Sequence, residues 1–340
     1  MINKVTLKNF EILRDIHWEN LSKVNLIIGE NSSGKSFLLK SLYSANKTVE
    51  EFKRGDDNRS IGEILAEKLY WTFQNDKIGD LVSKGEDKLH FEFSFDNKGF
   101  SYGFGKQATK NIQYLNNALA ERKSNSIFFP SKEVLSLYHI VIKSREQDKM
   151  FGFDDTYFDL VKALQIMPKG GRNYEVFANS RKSLEKILGG RIEYDETSKK
   201  WQFKNDKNQK FAIGVTFEGI KKIAILDQLL SNRYLDTSSI IFIDEPESAL
   251  HPSAICQLLD IISALAETGI QFFIASHSYF VIKKLFLIAT EKKISIPIIS
   301  LSRDEKAAAE YNDLKNGLPN NSIIDESIRL YEEEVEEALK

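Results

Sequence analysis

Two hydrophobic periods alternate along this chain. Residues 2–10 set Val5, Leu7 and Phe10 between polar neighbours, a period of two that predicts a strand. Residues 12–18 read as its antiparallel partner and 23–28 (KVNLII) as a buried strand. Residues 37–43 (FLLKSLY) and 61–73 (IGEILAEKLYWTF) move to helical spacing. Between them, the polar stretch 47–59 predicts a solvated helix end and a loop. Strict alternation returns at 89–95 (LHFEFSF); with 99–104 and a turn at Asp96-Asn97 it predicts a hairpin. Residues 110–122 predict a helix, and 126–129 (SIFF) a short strand before Pro130.

Past Pro130 the pattern changes. Residues 131–210 mix helical spacings with scattered charge, a glycine break at 169–172 (KGGR) and a small hairpin formed by 192–194 and 201–203. This predicts an inserted, mainly helical lobe, and without sustained heptads it is no long coiled-coil arm. From 211 the earlier character resumes. Helices are expected over 219–232 and 253–268, and buried strands at 239–243 (SIIFI), 271–275 (QFFIA) and 296–301 (IPIISL). Apolar strands alternating with helices predict an α/β fold whose mostly parallel sheet is covered on both faces. The expected organisation is a discontinuous core of residues 1–130 and 211–302, the lobe 131–210, and an acidic helical segment 303–340. The glutamates of that last segment read as a solvated face.

Composition narrows the class. The 340 residues carry a net charge of −2, which demands no polyanionic partner. Lys199, Lys200, Lys204, Lys207 and Lys210 leave nucleic-acid binding open, although a solvated hairpin is the preferred reading of them. The single cysteine, Cys256, rules out an internal disulfide. Residues 1–10 lack the apolar run of a signal peptide, and no run is long enough to cross a bilayer. A cytoplasmic protein without a membrane partner is expected.

The chemistry concentrates at residues 29–36, GENSSGKS, which match G-x-x-x-x-G-K-[ST] between a strand and a helix. Such a loop binds phosphate through its backbone N–H groups and the positive end of the following helix. The expected nucleotide-binding residues are Gly29, Glu30, Asn31, Ser32, Ser33, Gly34, Lys35, Ser36 and Phe37. Lys35 reaches the β- and γ-phosphates of ATP, and the Ser36 hydroxyl holds Mg²⁺. A second apolar strand ends in Asp244-Glu245, within IIFIDEPE. Asp244 is the second Mg²⁺ ligand, and Glu245 is the general base that polarises the attacking water. His277 ends the next strand, in the place of a histidine that contacts the γ-phosphate.

In this order the motifs resemble an ABC-type ATPase head of the RecF and SMC-like kind. Within that group the chain is similar to the ATPase part of the overcoming-lysogenization-defect family and to standalone ATPases of phage-defence systems such as PARIS. The residues that carry the resemblance are KNF at 8–10, GENSSGKS, PSKEVLS at 130–136, FEGIKK at 217–222, IDEPESALHP at 243–252 and ASHS at 275–278. The resemblance implies dimerisation around ATP, with the Gly219 region of one protomer meeting the γ-phosphate held by the other. Two departures stand out. Phe217 occupies the serine position of the LSGGQ signature, with Thr216 beside it as a substitute hydroxyl. Lys132 and Glu133 stand where a glutamine would follow the strand at 126–129. The family's nucleases continue into a Toprim domain. The chain is expected to lack one, so a nuclease or toxin would be a separate effector.

The leading expectation is therefore an ATP-hydrolysing homodimer, or higher homo-oligomer, that senses or regulates for such an effector. A RecF-like DNA-repair ATPase and a non-hydrolysing nucleotide-gated scaffold remain as alternatives.

Overall fold

The computed structural model describes residues 1–166, 175–216, 218–304 and 308–339. Its centre is a six-stranded sheet. The strands contributing to it are β3 (Val24–Gly29), β7 (Ile127–Phe129), β11 (Ile240–Asp244), β12 (Gln271–Ser276), β13 (Pro297–Leu301) and β14 (Glu310–Asp313). They run in the order β14-β13-β3-β12-β11-β7, parallel throughout except for β14. Register brings three chain segments to one edge. Ile28 pairs with Ser276 and Asp244 pairs with Ala275, so Gly29, Asp244 and His277 all emerge at the carboxyl ends of neighbouring strands. Ligands of open parallel sheets bind at that edge.

Both faces of this sheet are covered, which is why its strands are apolar without alternation. On one face lie α1 (Lys35–Glu51), α2 (Ile61–Phe73) and an antiparallel sheet. That sheet is built from β1 (Ile2–Phe10), β2 (Leu13–Trp18), β4 (Lys88–Phe95), β5 (Lys98–Gly105) and β6 (Tyr114–Asn117), in the order β2-β1-β4-β5-β6. Helix α2 starts on a full capping box: Ser60 accepts from the Glu63 N–H, and Glu63 accepts from the Ser60 N–H. On the other face lie α6 (Glu218–Ser231), α7 (Pro252–Thr268) and α8 (Tyr279–Lys292). The described residues between 131 and 212 form α3 (Tyr138–Ile142), α4 (Asp155–Leu164), α5 (Ala178–Leu188) and a small sheet of β8 (Gly190–Asp195), β9 (Lys200–Asn205) and β10 (Lys210–Ala212). Their buried side chains, among them Val134, Leu160, Leu184 and Trp201, join the same apolar cluster as α6 and α7. The glycine break at 169–172 lies outside the described residues. The chain closes on α9 (Ser322–Ala338).

Two expectations fail, each for a tertiary reason. Residues 47–51 are the expected helix end, since α1 closes at Glu51, but they are not solvated: Lys47, Thr48, Val49 and Glu50 are buried. Their polar groups are paired inside the protein. Glu50 accepts from the Ser126 N–H at 2.8 Å, and Lys47 donates to the Tyr234 hydroxyl at 3.1 Å. Residues 110–122 are not a helix. Residues 114–117 pair with 100–103 at the exposed edge of β5, because an open sheet edge overrides a weak local preference. Helix α8 and the antiparallel strand β14 are additions that the pattern did not announce.

A network of buried charge ties α1 and α2 to α4. Lys68 Nζ lies 2.9 Å from Glu51, 3.2 Å from Asp155 and 3.1 Å from Asp159. Tyr43 donates to Asp159 at 2.6 Å, and Lys40 pairs with Asp154 at 2.6 Å. Removing one partner of such a cluster strands the others. Lys68→Met should lower unfolding stability by about 3–5 kcal/mol, read as a shifted urea midpoint. An unchanged midpoint would show that solvent already screens the cluster.

Candidate active site

Strand β3 delivers Gly29 at φ 150°, and the loop returns through Gly34 at φ 92° into α1. A Cβ on Gly29 would lie 2.3 Å from the Leu301 carbonyl oxygen and 2.6 Å from Ser33 Oγ, so only glycine fits. Glu30, Asn31 and Ser32 form the exposed crest. Ser33 Oγ is buried without a hydrogen-bond partner among the described residues. Lys35 is buried and curls back over the loop, donating to the carbonyl oxygens of Gly29 at 2.8 Å and Glu30 at 2.7 Å. Burial lowers the pKa of its ammonium, and the carboxylates of Glu245 and Asp244 oppose that shift. Phe37 turns its ring away from the loop to pack on Phe73 at 4.5 Å and Phe10 at 5.3 Å, leaving only its backbone for an anion.

Asp244 ends β11 and is buried. Burial raises the pKa of its carboxyl group, a hydrogen bond from Ser36 pulls it back, and Glu245 raises it further. Its Oδ1 has no hydrogen-bond partner among the described residues. An orphaned carboxylate oxygen beside a serine hydroxyl is a donor set that fits Mg²⁺, which takes hard oxygens and few protein ligands. Among the described residues no cluster of three His, Cys, Asp or Glu side chains could hold a metal by itself. The ion would therefore share its coordination with substrate phosphate.

Glu245 leaves the strand with φ 50°, a left-handed conformation that non-glycine residues rarely adopt. Its N–H donates to the Ala275 carbonyl at 2.9 Å. That turn separates two adjacent carboxylates: Asp244 goes to Ser36, while Glu245 Oε1 lies 3.2 Å from His277 Nδ1. The structure thus brings together Lys35, Ser36, Asp244, Glu245 and His277 from three parts of the chain.

Gly219 has a different setting. It is buried against the next loop, where an added Cβ would sit 2.5 Å from Leu250 Cδ2 and 2.6 Å from the Ala249 carbonyl oxygen. Close packing within the protomer is enough to require glycine here. Gly219→Asp would strain the monomer itself, so it cannot report cleanly on a contact with a partner. Thr216 donates to the Ala212 carbonyl at 3.4 Å, and Phe217 lies outside the described residues.

Two residues at the site carried no role in the sequence. Glu247 Oε1 accepts from Ser276 Oγ at 2.7 Å and from the His277 N–H at 3.2 Å, which fixes the turn that carries His277. Lys222, one turn into α6, donates to the Glu245 carbonyl at 3.2 Å. Burial lowers the pKa of its ammonium, while Glu247, Glu245 and Asp244 raise it. The only signals in the sequence were a second carboxylate in DEPE and a second lysine in FEGIKK.

Comparison with known proteins gives three findings. Residues 24–283 match the family described as "AAA domain, putative AbiEii toxin, Type IV TA system". An uncharacterized protein of Methanocaldococcus jannaschii is 31% identical over 103 residues, which are 30% of this chain and 44% of that protein's length. Among solved structures, an SMC head bound to the C-terminal winged-helix domain of ScpA superimposes with TM-score 0.56 at 15% identity, covering 93% of this chain and 98% of the other. The Pyrococcus furiosus Smc head with an extended coiled coil gives TM-score 0.52 at 13% identity, covering 98% of each chain. At such identities the likeness speaks for the fold alone, an α/β fold like that of SMC heads.

Proposed function

The chain belongs to the AAA-domain family that its residues 24–283 match, and from that premise we propose that it binds and hydrolyses ATP as an ABC-type ATPase. The observation that carries this reading is the meeting of Lys35, Ser36, Asp244, Glu245 and His277 at one sheet edge. Residues 29–37 cradle the phosphates. Lys35 exchanges its two carbonyl partners for phosphate oxygens. Ser36 and Asp244 would hold Mg²⁺, which when bound would supply positive charge to the phosphates. Glu245 accepts the proton of the attacking water, and His277 orients that carboxylate. Residues 1–130 and 211–302 serve as the ATPase core, 131–210 as a sensing lobe, and 303–340 as an acidic appendage. ATP closes two protomers through the Gly219 region. The overcoming-lysogenization-defect and PARIS resemblance supports a role in anti-phage defence beside a separate nuclease or toxin.

The deciding experiment is phosphate release from ATP by the purified chain, with and without Mg²⁺. Metal-dependent release supports the proposal. ATP binding without release would mean a nucleotide-gated scaffold.

Lys222 gives a finer check. Its hydrogen bond steadies the left-handed turn at Glu245, so Lys222→Met should reduce kcat by roughly tenfold, the value of one charge-assisted hydrogen bond, with KM little changed. Lys222→Arg should restore part of the rate. If the methionine variant raised KM alone, the lysine would belong to nucleotide binding.

A further inference from the structure

Helix α9 is held at its start and open beyond it. Asn321 caps it through the Ile323 N–H at 3.0 Å, and Ile324 is its one buried residue among those described. From there Ile328, Tyr331 and Val335 follow at steps of four, three and four, and Leu339 lies four further on. The steps from Ile324 to Val335 are those of a coiled-coil seam, and Leu339 falls one residue past the next heptad position, at the helix C-cap. Among the described residues nothing covers the seam: Ile328, Tyr331, Val335 and Leu339 are 51%, 66%, 39% and 82% exposed in turn. Around it stand Asp325, Glu326 and five glutamates between 332 and 337, with Arg329 the one cation of the helix, already paired with Glu326 and Glu333. An isolated seam of this kind costs solvation without return, and contiguous apolar exposure marks an interaction surface.

We propose that this face docks a basic amphipathic helix supplied by another protein. The seam asks for a helical partner, because only a second apolar stripe at heptad spacing fills it along its length. The charge asks for a cationic one. A second copy of α9 would set carboxylates against carboxylates, and like charges at such flanks oppose pairing. Nucleic acid and anionic lipid are excluded by the same sign. The inference rests on α9 alone and stands whether or not the chain hydrolyses ATP.

The test uses the full chain and a fluorescein-labelled peptide with leucine at the a and d positions of each heptad and lysine elsewhere, followed by anisotropy. The control peptide has the same composition in scrambled order. The patterned peptide should bind more tightly than the scrambled one, and more weakly as salt rises. The double substitution Tyr331→Ser, Val335→Ser should weaken binding by about tenfold or more, the loss expected for aromatic and aliphatic anchors. Glu332→Gln with Glu336→Gln should weaken it too and flatten its salt dependence. Thermal unfolding midpoints should not move, because the seam is exposed. Equal binding of both peptides, or binding indifferent to the serine substitutions, overturns the proposal. So does a lowered midpoint, which would place the seam in the chain's own core. Sedimentation showing self-association that the serine variant loses would make the occupant a second copy, and the proposal wrong.

Discussion

Glu245→Gln should slow ATP turnover by about 10²–10⁴, the usual loss for a removed general base, while ATP binding survives. The two effects separate because the groups are separate. The proposed phosphate contacts come from residues 29–37, whereas Glu245 faces His277 at 3.2 Å. Glutamine keeps the size of the side chain and an oxygen that can accept from His277, so the turn at φ 50° has no new reason to relax. Only the basic carboxylate is lost. If ATP closes two protomers, the variant should accumulate as an ATP-bound dimer, since the opening step is blocked. Phosphate release and light scattering with ATP, compared between wild type and variant, check both halves. Slow wild-type turnover that the substitution leaves unchanged would mean Glu245 is no base, and the protein would be a nucleotide-gated scaffold.

Lys35→Ala should remove nucleotide binding or lower turnover by about 10²–10³, the range for one preorganised electrostatic group. The lysine is buried, yet its partners are the carbonyl oxygens of Gly29 and Glu30 and not a fixed carboxylate. Those carbonyls flank an exposed loop crest that water can reach. The variant should therefore unfold at nearly the wild-type urea concentration, in contrast to Lys68→Met. Turnover equal to wild type would sink the phosphate-loop assignment. A large loss of stability would make the lysine a structural residue.

How legible the site was depended on how local its physics is. Residues 29–36 could be proposed from the sequence because a phosphate loop is built from its own backbone: its glycines, lysine and serine act within one turn. Asp244 and His277 were legible as strand ends. Glu247 and Lys222 were not, because their roles come from hydrogen bonds across the chain, to Ser276 and to the Glu245 carbonyl. The place of Gly219 in FEGIKK suggests a phosphate contact across a dimer; that a Cβ there would also collide with Ala249 and Leu250 of the same protomer is visible only in the tertiary structure.

Local pattern was enough to specify the strands and helices whose pattern repeats within a few residues. It also determined the parallel character of a sheet whose strands must be buried on both faces. Period and apolar run length are local consequences of backbone geometry, so no partner is needed to read them. The rest came from long-range packing. It buried Lys47 and Glu50 by giving them Tyr234 and Ser126 as partners, and it drew 114–117 into a strand by offering the open edge of β5. It ordered the strands so that Gly29, Asp244 and His277 share one edge. Polar burial and strand order depend on groups far apart in the chain, and a local pattern carries no record of them.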